Sequence, residues 1–115
     1  MTDNRTPSQK SVLWYACLQW VVVDEASAPN KAKERKQLDF HVSAVGREFP
    51  GENAQKLVDE TGAKFQELRT AIKNADAPNP RLALMEARHK YVEFVLATFP
   101  RSYDEACREA RQLAE

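Results

Sequence analysis

At 115 residues the chain has the length of one domain, enough to bury a real core and too short to form two. Its 17 Lys and Arg balance 17 Asp and Glu, so the whole molecule exerts no net pull on a polyanion, and any such binding needs a local patch. Three glycines, no useful polar-apolar alternation, and an abundance of Ala, Leu, Glu, Lys, Arg and Gln exclude a β-class fold and favour helix nearly throughout.

Prolines at 7, 29, 50, 78, 80 and 100 divide the chain into helix-sized segments behind a polar tail over 1–6, expected to be disordered. The first helix is expected over about 8–26, capped by Thr6 or Ser8 with Pro7 near its start. It is apolar almost all round. Trp14, Leu18 and Val21 point one way, while Leu13, Trp20 and Val23 point elsewhere. Such a helix is either enclosed by its neighbours or leaves a patch that a partner covers, which makes Trp14, Leu18, Trp20 and Val21 the candidate interface.

The second helix is expected over about 30–49, with Leu38, Val42, Val45 and Phe49 forming one stripe. Lys31, Lys33, Arg35 and Lys36 crowd its first turns, where the helix dipole disfavours cations; they read as a solvated charge run.

The third, about 52–74, places Ala54, Val58, Thr61, Phe65, Leu68, Ile72 and Ala75 at alternating spacings of four and three, a heptad seam with Gly62 off it. The same stretch also fits a helix-turn-helix over about 54–73. Gly62 would then be the turn, and Lys64, Gln66, Arg69, Thr70 and Lys73 would face a major groove. That template exposes Phe65. A glycine within a helix costs about 1 kcal/mol, less than the ~1.5–3 kcal/mol that burying Phe65 returns, so one continuous helix is expected.

The fourth helix begins with Asn79 as cap and Pro80 as first residue, and carries Leu82, Met85, His89, Val92, Leu96 and Phe99 on one face, widened by Leu84, Tyr91 and Val95. The fifth, about 102–114, turns Tyr103, Ala106, Cys107, Ala110 and Leu113 inward, and Ser102 with Glu105 forms a capping box. The expected fold is all-α: a compact antiparallel bundle of four main helices plus a short C-terminal helix, as one domain over 7–115.

The segment VLWYACLQWVVV, at 12–23, superficially resembles a signal peptide, but two Trp, a Tyr and a Gln interrupt it and Asp24-Glu25 follow. A run of this length is short of the roughly 20 residues that span a bilayer, so no membrane partner is expected. Cys17 and Cys107 have no ligand-spaced companions and read as two reduced, buried thiols in a cytoplasmic protein.

Glu86 and His89 match one Glu-x-x-His step of a di-metal bundle, but the residue three before His41 is Leu38, so the ligand set is incomplete; no cofactor is expected, and His89 reads as a partly buried core histidine. No phosphate loop, serine elbow or Cys-His pair is present. The leading expectation is therefore a non-enzymatic bundle acting on another protein, or on itself as a homodimer, as a small regulator, inhibitor or adaptor. A DNA-binding regulator using 54–73 ranks second. A small-molecule or metal-binding enzyme ranks third.

Overall fold

The computed structural model describes residues 5–74 and 80–114. Five helices account for nearly all of them: α1 Pro7–Glu25, α2 Ala28–Glu48, α3 Ala54–Lys73, α4 Pro80–Thr98 and α5 Tyr103–Ala114. No strand occurs among the described residues.

Local chemistry sets most of the boundaries. Thr6 Oγ1 accepts from the Gln9 amide at 3.1 Å while the Gln9 side chain accepts from the Thr6 amide at 2.8 Å, and Pro7 occupies the first helical position. Two of the amides that a helix start leaves unmet are thereby satisfied. The α1–α2 link is short because Pro29 fits the first turn of α2, which starts at Ala28, two residues before the expected position. Pro50 cannot continue α2, and Gly51 turns the chain with φ +89°, a backbone state open mainly to glycine. Asn53 Oδ1 then accepts from the Lys56 amide at 3.1 Å and opens α3. Ser102 Oγ accepts from the Glu105 amide at 3.2 Å at the start of α5. Residues 1–4 of the expected tail, the seam residue Ala75 and the expected cap Asn79 lie outside the described residues.

α3 is one uninterrupted helix. The turn that a helix-turn-helix needs at Gly62 is absent, and Phe65 is fully buried, as the heptad seam requires. Val58, Leu68 and Ile72 of the seam are buried as well.

The chain's packing resolves into two compact units, Met1–Ala63 and Lys64–Glu115, so each half of α3 serves a different helical hairpin. In the first unit α1 and α2 run antiparallel. Gln9 donates to the Glu48 carbonyl at 2.7 Å at one end, and Gln19 donates to the Glu34 carbonyl at 2.9 Å toward the other. Leu13, Ala16, Cys17, Leu38 and Val45 are buried. Gly62 is not a bystander here: a Cβ at this position would stand 2.7 Å from Trp20 Cγ, so the indole lies directly on the α3 backbone.

In the second unit the core is aromatic. Phe65 meets Tyr91 and Phe99 with ring centroids 5.8 Å from each, and Phe94 meets Phe99 at 5.9 Å. α4 and α5 are antiparallel and tied by Glu109, whose carboxylate accepts from the Tyr91 hydroxyl and from Arg101. Tyr91 ionises only well above its ordinary range. Burial is the main cause, followed by the hydrogen bond and the charge of Glu109, against which Arg69 and Arg101 pull the other way.

Candidate functional groove

The residues expected to face inward on α4 do not all do so. Ala87, Tyr91, Val92, Val95 and Phe99 are buried, but Leu82 is 52% and Met85 59% exposed. His89 is also exposed, contrary to its expected place in the core, and its Nε2 pairs with Glu93 Oε1 at 3.0 Å along the helix. On α5, Ala106 and Ala110 are buried, whereas Tyr103 is 65% exposed. Cys107 is half-buried rather than buried.

These departures share one location. Leu82, Met85, His89 and Val92 on α4 and Tyr103, Cys107 and Ala110 on α5 line a common groove of about 610 Å³. Toward Val92–Phe99 the α4 stripe runs into the aromatic core; toward Leu82 it runs out into the groove. Glu86, Arg88 and Arg111 supply the polar part of the lining. Tyr103 and Cys107 lie one turn apart on α5. Hydrogen bonding to the neighbouring Cys107 thiol, with the charge that thiol would carry as a thiolate, holds the Tyr103 phenol above its ordinary range.

The expected interface on α1 is not assembled as an open patch. Val21 is buried, while Trp14, Leu18 and Trp20 are half-buried. Trp20 is committed within its own unit: its ring covers Gly62, and its Nε1 donates to Asp59 Oδ1 at 3.3 Å. The strongly exposed apolar side chains of α1 are Tyr15 and Val22, seven residues apart along one narrow line. Most of this apolar helix is covered. Burial raises the Cys17 thiol to about 12, with Arg5 pulling weakly in the opposite direction.

The residues assigned to a DNA-reading surface share α3 but not a common exposure. Lys64, Thr70 and Lys73 are exposed, and Lys64 Nζ lies 3.7 Å from Glu67. Gln66 and Arg69 are half-buried, and the Arg69 guanidinium sits 5.6 Å from the centroid of the Phe65 ring. That contact turns Arg69 toward the aromatic core.

Both thiols are free, and among the described residues no three His, Cys, Asp or Glu side chains gather where a metal ion could be held. No helix among those residues is long and apolar enough to cross a membrane. Comparison with known protein families, with curated proteins and with solved structures finds no match.

Sequence reasoning singled out the α4 and α5 stripes but assigned them to the core. Their periodicity marks an apolar face and does not by itself distinguish a core from the wall of a groove. The available signal was His89 within the stripe, a polar residue at a position where a sealed core needs an apolar one.

Proposed function

We propose that this protein is a non-enzymatic interaction module that receives a helical segment of another protein in the α4–α5 groove. One observation carries the reading: two helical stripes with core periodicity converge, and Leu82, Met85 and Tyr103 stay exposed between them. Scattered exposed apolar residues are ordinary, but several converging on one groove mark a surface that a partner covers. From Leu82 to Val92 the α4 wall runs about 15 Å, roughly three helical turns, a length matched by a short amphipathic helix with anchors at i, i+3 or i+4, and i+7.

This reading keeps the expectation of a regulator, inhibitor or adaptor and moves its binding surface from α1 to the second unit. We further place the protein in a reducing compartment such as the cytoplasm, which its two free thiols support.

The test is selection of displayed helical peptides of about 16 residues on the full chain, followed by titration of the winners against Met85→Glu. The expected result is a set of binders whose Kd weakens at least about tenfold on that substitution, because a carboxylate is placed where an apolar anchor must seat. Met85 is exposed, so the variant should unfold at the same urea concentration as the parent within error. Binders indifferent to Met85→Glu, or none at all, would overturn the groove as the interaction surface.

A further inference from the structure

We propose that the segment received by the α4–α5 groove carries a carboxylate on the flank of its apolar face, and that Arg88 is the residue that reads it. This deepens the groove reading and rests on it. Arg88 lines the groove and is half-buried, and its Nε is buried with no hydrogen-bond acceptor among the described residues. A guanidinium that is partly desolvated without a counter-charge carries an uncompensated cost, and an anion bound beside the part of Arg88 that lines the groove offsets it, without having to reach the covered Nε.

Glu93, Glu105 and Glu109 of the hairpin are engaged elsewhere. Glu109 accepts from Tyr91 and Arg101, Glu93 pairs with His89, and Glu105 lies 4.0 Å from Arg101. Glu86 also lines the groove, but two residues along a helix place side chains on nearly opposite sides, so it does not face Arg88. Arg111 on α5 adds a second cation to the lining, leaving it with two arginines against one glutamate. A carboxylate meeting a guanidinium in a partly dry groove forms a charge-assisted, directional bond, while Leu82, Met85 and Tyr103 take the apolar face. The arrangement therefore selects an acidic amphipathic helix over an apolar one of the same shape.

The experiment uses the peptides selected on the full chain. Those weakened by Met85→Glu should share an Asp or Glu at a fixed offset from their apolar anchors. Changing that acid to its amide should weaken binding to the parent about tenfold or more. The same change should alter binding to Arg88→Gln by less than about twofold, the non-additivity expected of two groups in direct contact. Arg88→Lys should recover part of the discrimination, because it restores the charge without the planar fork. The peptide substitution alone tests the acid on the unaltered chain, so the result does not depend on Arg88→Gln folding.

Met85-sensitive binders without a fixed acid, or an acid whose removal weakens the parent and Arg88→Gln equally, would overturn the role of Arg88 while leaving the groove in place. If no peptide is Met85-sensitive, the groove reading itself fails. Dodecanoate is the control for a non-protein occupant: Met85-sensitive binding of dodecanoate with no such peptide would overturn both.

Discussion

The α1–α2 hairpin and the α4–α5 hairpin are built from comparably apolar first helices, yet they dispose of that surface differently. In the first, α2 lies along one side of α1, and the first half of α3 brings a glycine against the Trp20 ring, so even the indoles are half-covered. In the second, the aromatic cluster of Phe65, Tyr91, Phe94 and Phe99 seals one end, and the stripe left over at the other end lines an open groove. The apolar content of a helix states how much cover it needs; only the neighbouring elements decide whether the chain supplies it. On α1 the apolar side chains are mostly buried or half-buried, and on α4 part of a stripe with core spacing lies exposed along the groove.

The largest expected effect lies in the aromatic core. Phe65→Ala removes the ring that meets both Tyr91 and Phe99, and should destabilise by about 3–5 kcal/mol in urea unfolding. If the loss is below about 1 kcal/mol, the second unit is not held by this cluster and the contrast between a sealed and an open end disappears.

Gly62→Val probes the first unit. The added side chain meets Trp20 closer than van der Waals contact allows, so overpacking should cost about 1–3 kcal/mol despite the better helix propensity of valine. Trp20 fluorescence should shift at the same time. An unchanged midpoint and spectrum would show that the indole does not depend on the missing Cβ.

The smallest effect per step separates the hairpins by pH. The Cys17 thiol titrates near 9.0 when unfolded and at about 12 when folded, so above pH 9 the unfolded chain gives up a proton that the folded chain keeps. Stability present below pH 9 should therefore fall by about 1.4 kcal/mol per pH unit between 9 and 12. Tyr91, with an ordinary value of 10.0 raised on folding, adds a loss with the same sign from about pH 10 upward. Relative to the parent, Cys17→Ala should flatten the decline from pH 9, and Tyr91→Phe only from pH 10. Identical profiles for both variants and the parent would show that neither group is held away from water in the folded state.

Much of the architecture was legible from residue order because it is local. Proline positions, the Thr6 cap with Pro7, the Ser102 cap and the four-three spacing along α3 act over a few residues, and the five helices fall within about two residues of where these signals put them. The continuity of α3 through Gly62 was legible too, since the four-three spacing puts Phe65 on the apolar seam and one ring's burial outweighs one glycine's helical penalty. What tertiary structure alone decided is which apolar face finds cover. α4 carries large apolar side chains on several sides, so periodicity could not choose between the stripe through Leu82, Met85 and His89 and the one through Ala87, Tyr91 and Val95. Phe65 of α3 chose the second by packing against Tyr91 and Phe99, and the first became the wall of the groove. The seat of Trp20 on Gly62, 42 residues away in sequence, and the engagement of Glu109 by Tyr91 and Arg101 likewise depend on elements meeting in space. Burial is a property of pairs of elements, and one helix's sequence records its own demand for cover but not the supply.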